Sequence, residues 1–192
     1  FHTLENVMMY TSDQMKTEEQ LYVSGVNCSS NPEEATRQFY KTKKVWNKED
    51  GIICFHGYQS FKTGELTPEV AHKIGIELAK RMWGERFEVL VSTHLNTGTL
   101  HNHFCLNSVS FADGLRYYDQ KATYAKMRQI SDEICREYGL SVVDDPKGKR
   151  RHISECIAER EGKTTERGNI RRDIDIAIEC NTSTKYFYRT ME

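Results

Sequence analysis

No surplus of charge of either sign marks this 192-residue sequence: 27 Lys and Arg stand against 28 Asp and Glu, for a net charge of −1. Domains that hold nucleic acid usually carry a visible basic excess, so the whole-chain figure by itself speaks against such a partner. Long hydrophobic runs are also missing. No window approaches the roughly 18 apolar residues of a membrane span. No secretory signal is present, and residue 1 is Phe rather than Met, which leads us to expect a fragment whose native start is not in view. None of the six cysteines (Cys28, Cys54, Cys105, Cys135, Cys156, Cys180) has a C-x-x-C partner. Scattered single thiols argue against a structural zinc site and for a reduced, cytosolic chain without a disulfide framework. Internal repeats and low-complexity tracts are absent. What remains is 38% hydrophobic and 29% charged, a little polar but globular, and long enough for one large domain or two small ones.

The residue pattern alternates strands and helices. Residues 21–26 read as a short strand. Asn31-Pro32-Glu33-Glu34 opens a helix to about Trp46, with Asn31 capping, Pro32 at the first helical position and Glu34 completing a capping box. Residues 51–61 form a strand. Thr67-Pro68-Glu69 opens a helix whose Val70, Ala71, Ile74, Leu78 and Met82 share a face, ending near Gly84. Residues 87–93 and 103–111 are strands, Asp113-Gly114 is a hairpin turn, and residues 115–118 are the expected returning strand. A helix over 120–138 stops at Gly139. Two helical pieces, about 153–161 and 165–180, follow a polar connector. The expected class is α+β, a central antiparallel sheet flanked by helices with a helical C-terminal extension. The expected division is a catalytic core over 1–145 and a basic extension over 146–192.

Three of the seven histidines fall in one ten-residue stretch, as His94-x6-His101-x-His103. Two residues apart on a strand, His101 and His103 share a face. His94 ends the preceding strand, and the Gly98 loop can return the chain so that a third imidazole reaches the same spot. Three imidazoles without a fourth protein ligand describe an open metal site, with positions left for substrate oxygens. Imidazoles suit Mn, Zn, Ni or Co better than Mg. His56, on the strand at residues 51–61, reads equally as a core histidine or as a group near the reacting phosphate. His2, His72 and His152 read as surface residues.

These residues resemble a known family. The His-x6-His-x-His pair followed by Asn107-Ser108 is similar to the metal motif of conjugative relaxases, the mobilisation nucleases of the HUH superfamily. Gln59-Ser60-Phe61-Lys62-x-Gly64-Glu65 with Thr67-Pro68-Glu69 resembles the family's middle motif. Tyr10, with Lys16-Thr17 and Leu21 to Cys28 after it, resembles the N-terminal tyrosine motif. The resemblance covers about residues 4 to 145 and is nearest to single-tyrosine relaxases of plasmids and integrative elements.

The resemblance implies a bacterial, cytoplasmic enzyme that nicks and rejoins single-stranded DNA at an origin of transfer. Tyr10 attacks the scissile phosphate to give a 5′-phosphotyrosyl link, and a divalent metal (Mn, Mg or another transition metal) sits on His94, His101 and His103. Asn96, Asn107, Ser60 and His56 orient the metal or the phosphate. Accessory transfer proteins and a hairpin or duplex beside the nick are further partners. Two departures stand out: Asn96 occupies a position that is often acidic, and Thr11-Ser12-Asp13 replaces the usual Asn-Pro-Glu after the tyrosine. Tyr22 reads as packing, while Tyr117 and Tyr118 read as candidate base-stacking residues.

The charge is unevenly distributed. Lys147 to Arg172 holds nine basic and four acidic residues, +5, which leaves −6 for the rest of the chain. Lys147, Lys149, Arg150, Arg151, Lys163, Arg171 and Arg172 are the expected DNA-binding set. Two other functions fit the same residues: a DNA-binding regulator without cleavage, and a metal-dependent hydrolase in which bound water attacks. The rolling-circle initiators share the His-x-His core but place their tyrosine after it.

Overall fold

In the computed structural model the described residues are 4–12, 22–95, 99–144, 153–166, 168–170, 172, 174 and 176. The elements run α1 (Leu4–Thr11), β1 (Val23–Val26), α2 (Pro32–Val45), β2 (Cys54–Ser60), α3 (Pro68–Trp83), β3 (Val89–His94), β4 (His101–Asn107), α4 (Lys121–Glu137) and α5 (Ile153–Arg160). The chain divides into two units, Phe1–Val143 and Asp144–Glu192.

In the first unit the strands form one sheet in the order β1-β3-β4-β2, every neighbouring pair antiparallel. The architecture is therefore the expected α+β. Period-two alternation sends successive side chains to opposite faces. On one face Val26, Val89, Val91, Phe104 and Leu106 pack with Ala71, Ile74 and Leu78 of α3 and Ile134 of α4. On the other face Val23, Leu90 and Cys105 pack with Leu4 and Met8 of α1 and Ala35 and Phe39 of α2. Strands β3 and β4 are thus covered on both sides. Buried apolar side chains such as Phe104 and Leu78 each contribute about 1.5–3 kcal/mol relative to exposure.

Local signals set most element ends. Asn31 Oδ1 accepts the Glu34 N–H at 3.0 Å, and Pro32 begins α2. The reciprocal half of the expected capping box does not form. Ser29 intervenes: its hydroxyl donates to Glu34 Oε2 at 2.7 Å and accepts the Asn31 N–H at 3.1 Å. The expected strand at 115–118 shrinks to one bridge, Val109 with Arg116. The Tyr117 ring turns inward, edge-on to Phe55 at 5.2 Å and Phe87 at 5.5 Å, so this segment closes the core instead of extending the sheet. Gly114 takes φ +67° in the turn, with the Trp46 ring lying where a side chain would go. In the second unit α5 forms as expected, and the described residues from Glu166 on are helical.

Candidate functional site

Antiparallel pairing of β3 with β4 sets His94 directly across from His101, with His103 two residues further along β4 on the same face. The ring centroids lie 5.2 Å (His94–His101), 4.1 Å (His94–His103) and 4.9 Å (His101–His103) apart. One ligand nitrogen from each ring falls within 4.8 Å of the others. His94 and His103 are buried and His101 is partly exposed, so the cluster opens to one side.

Two rings are already oriented by backbone carbonyls. His94 Nε2 lies 2.8 Å from Thr11 O, and His101 Nδ1 lies 3.1 Å from Thr99 O. A carbonyl accepts, so each of these nitrogens carries the hydrogen and the opposite nitrogen carries the lone pair. Such carbonyl contacts are the usual means of setting the tautomer of a metal-ligating histidine. The donor set thus fits a divalent cation with open positions.

The Thr11 contact also fixes where α1 ends. Thr11 and Ser12 hydroxyls donate back to the Met8 carbonyl at 3.1 and 2.6 Å, and Leu4 and Met8 anchor the helix in the core. Helix α1 carries the Tyr10 backbone, one residue before the carbonyl that meets His94.

The edge strand β2 runs beside the triad. Ser60 pairs with His101 and Tyr58 with His103, while His56 pairs with Cys105. His56 lies beside the triad: its Nε2 is 2.7 Å from His103 Nδ1 and the rings stack at 10°. Partial burial lowers its pKa below the ordinary histidine value. Tyr58, exposed and directly opposite His103, carries no sequence motif. Its signal is the register, readable only once β2 and β4 are aligned.

Asn107 lies elsewhere. It is buried at the far end of β4, donating to Glu88 Oε2 at 2.6 Å and Phe39 O at 3.3 Å. Four residues separate it from His103, about 13 Å along a strand. It belongs to a polar group with the buried Glu88, Lys43 and Ser108 and the half-buried Thr42. Burial lowers the Lys43 pKa to about 8 and raises that of Glu88.

The face behind the triad holds a chain of hydrogen bonds. Thr93 donates to Asn102 Oδ1 at 2.7 Å, and Asn102 Nδ2 donates to Ala71 O at 2.8 Å and Gln59 Oε1 at 3.1 Å. The Thr93 hydroxyl donates to Asn102, so it accepts from His72 Nδ1 at 2.9 Å, and His72 Nε2 accepts from Ser24 Oγ at 2.8 Å. Contrary to the surface reading, His72 is buried, because α3 lays it across β1 and β3. Gly75 makes room: a Cβ there would lie 2.5 Å from Asn102 Nδ2. Thr93 and Asn102 are the sequence neighbours of His94, His101 and His103, so this chain clamps the backbone that carries the ligands.

The clamp can be tested in two ways. Asn102→Leu leaves the Thr93, Ala71 and Gln59 partners buried and unmatched, and should cost about 2–4 kcal/mol in urea unfolding. A loss below about 0.5 kcal/mol would sink the clamp. The second test concerns pH. Burial lowers the folded-state pKa of His72 below its ordinary value of about 6.5. Above that value the ring is neutral both folded and unfolded, and stability is complete. As pH falls from about 6.5 toward the lower folded value, only the unfolded chain gains the proton, and stability declines. Thermal unfolding in chelator should therefore fall more steeply with acid for the native protein than for His72→Gln. Equal slopes would refute it.

Of the other sequence-predicted residues, Asn96, Lys147, Lys149, Arg150, Arg151 and Arg171 lie outside the described residues, as does the Tyr10 side chain. Lys163 is exposed and pairs with Glu161 at 2.7 Å, and Arg172 is exposed on a helical stretch. Tyr117 is core, as above, whereas Tyr118 is exposed. Tyr22 is buried and donates to Glu69 at 2.7 Å, in keeping with its packing role. Surface grooves of about 550 Å³ and 330 Å³ lie along α4 and beside α2, and neither is lined by a triad residue. No helix among the described residues is long and apolar enough to cross a membrane.

Comparison with known proteins points the same way. Residues 10–140 match the family model described as relaxase, MobA/VirD2-like, nuclease domain. A protein rlx of Staphylococcus aureus is 38% identical over 129 residues, covering 67% of this chain and 40% of the relative. A second protein rlx from that species is 33% identical over 156 residues, covering 81% of this chain and 47% of the relative. The group II intron-interrupted relaxase LtrB of Lactococcus lactis subsp. cremoris is 23% identical, covering 97% of this chain and 39% of the relative. The chain thus spans less than half the length of these relatives. No solved structure matches it.

Proposed function

From the premise that the chain belongs to the MobA/VirD2-like relaxase nuclease-domain family, we propose that it nicks and rejoins one DNA strand at an origin of transfer, with Tyr10 as nucleophile. The observation that carries this reading is the join between α1 and the triad. The carbonyl immediately after Tyr10 holds His94, so the helix bearing the tyrosine ends at the histidines.

His94, His101 and His103 would hold the divalent cation, which supplies positive charge to the non-bridging oxygens of the scissile phosphate. Imidazole ligands favour Mn or another transition metal over Mg. The Tyr10 phenolic oxygen bonds to phosphorus as the bond to the 3′ oxygen breaks. The proton lost by the phenol balances the one gained by the 3′-hydroxyl. The product keeps a phosphodiester on an aryl oxygen, so the reverse attack by a 3′-hydroxyl rejoins the strand without a nucleotide cofactor. A phenol of ordinary pKa near 10 is mostly protonated at neutral pH, so its deprotonation has to accompany attack. His56 orients His103, and Ser60 lies across from His101 toward the phosphate. The basic residues from Lys147 to Arg172 would grip a hairpin or duplex beside the nick.

The test is a denaturing gel of protein incubated with a single strand carrying the origin and Mn²⁺. A protein–DNA adduct is the expected product. Free cleaved ends without adduct would favour attack by water. Binding without cleavage would favour a regulator.

A further inference from the structure

We propose that the outward row Ser60–Tyr58–His56 on β2 is the track for the single strand beside the triad, with Tyr58 the platform on which one base stacks. The inference rests on the reading of the triad as the scissile-phosphate site and adds a residue that no motif singles out.

Three observations converge on it. The first is register. The alternation that puts His101 and His103 on one face also puts Ser60, Tyr58 and His56 there, with Tyr58 directly opposite His103. Directly paired residues have Cβ atoms about 4.5–5.5 Å apart. A base on Tyr58 therefore belongs to a nucleotide adjoining the phosphate at the triad.

The second is cover. Helices α1 and α2 bury Val23, Leu90 and Cys105 on this face, yet Ser60, Tyr58 and His56 are exposed, and Tyr58 retains 68% of its surface. The uncovered strip is continuous with the open side of the triad. The third is spacing and chemistry. Alternate strand residues repeat every 6.6–6.8 Å or so, of the order of one nucleotide in an extended strand. The row holds a hydroxyl, a flat phenol and an imidazole, with no lysine or arginine. It therefore suits bases and sugars, and leaves phosphate charge to other residues. Stacking of this kind tolerates any base, because every base has a π face.

The test needs no knowledge of the recognised sequence. Binding of a short oligothymidylate is compared with binding of an abasic deoxyribose-phosphate strand of equal length, for the native protein, Tyr58→Ala, Tyr58→Phe and Tyr58→Trp. Tyr58→Ala should weaken oligothymidylate binding by about five- to a hundred-fold. It should leave abasic-strand binding, Mn²⁺ affinity and the dependence of binding on salt unchanged. Tyr58→Phe should bind as the native protein does. The indole emission added by Tyr58→Trp should be quenched by oligothymidylate and not by the abasic strand.

Equal binding by Tyr58→Ala and the native protein overturns the platform even if the origin strand is still nicked, which leaves the parent reading intact. Loss in Tyr58→Phe as large as in Tyr58→Ala overturns it too, by assigning the effect to the hydroxyl. A dimer that dissociates in Tyr58→Ala with DNA binding unchanged would give the edge strand to a second copy of the chain. If the native protein binds neither strand, the platform and the parent reading fall together.

Discussion

Tyr10→Phe should form no covalent adduct with the origin strand, and its cleavage rate should fall by at least about a thousand-fold, the scale expected when a nucleophile is removed. The substitution deletes one oxygen and keeps the ring. The end of α1 is held by other means: Leu4 and Met8 in the core, the Thr11 and Ser12 hydroxyls on the Met8 carbonyl, and the Thr11 carbonyl on His94. Folding, Mn²⁺ binding and single-strand affinity should therefore match the native protein. Tyr22 and Tyr117 are poor substitutes, since both pack on the opposite face of the sheet from the triad. The Tyr22 hydroxyl is committed to Glu69, and Tyr117 is packed between Phe55 and Phe87. Tyr58 is the exception, exposed and across from His103. If Tyr10→Phe still yields the adduct, the assignment fails, and peptide mapping of the linkage will identify Tyr58 if that phenol is the attacking one.

His101→Ala separates chemistry from binding. His101 is the partly exposed member of the triad, so its loss disturbs packing less than loss of His94 or His103, which are buried. Mutating a mere supporting partner of a metal ligand typically costs 10- to 100-fold in affinity. Removing a ligand should cost at least about 100-fold in Mn²⁺ affinity by titration calorimetry. Nicking should vanish at metal concentrations that saturate the native protein. Single-strand binding should change by no more than about three-fold, because it rests on stacking and on phosphate contacts made elsewhere. Undiminished nicking by His101→Ala would remove the triad from the mechanism. Loss of strand binding in step with nicking would mean that the cation holds the DNA as well.

Much of the site was legible in one dimension. His101 and His103 share a face because strand side chains repeat every two residues. His94 joins them because a short loop between antiparallel neighbours returns the chain to its own end, as the pairing of His94 with His101 bears out. Helix α2 began at Asn31-Pro32, where one side chain caps the helix and the other supplies a fixed φ. These are local rules, set by bonded geometry within a few residues.

What stayed hidden depended on partners far apart in sequence. His72 looked like a surface residue from its own helix, and only the packing of α3 across β1 and β3 buries it between Ser24 and Thr93. Asn107 sits in the motif beside the histidines, yet strand length carries it to the opposite end of β4, where Glu88 claims it. Tyr117 turned into the core, and Tyr58 gained its place beside His103 from register alone.

By itself the sequence determined the α+β class and the three imidazoles on one sheet face, because periodicity and spacing are properties of the chain; the kinship to relaxases came from the resemblance of its motifs and from the family match. Only the tertiary structure decided which groups surround those imidazoles: the α1 carbonyl on His94, His56 against His103, the Thr93–Asn102 clamp behind, and the open row on β2. Each of these depends on strand order and on which helix covers which face, and both emerge only when segments distant in the chain compete for the same buried surface.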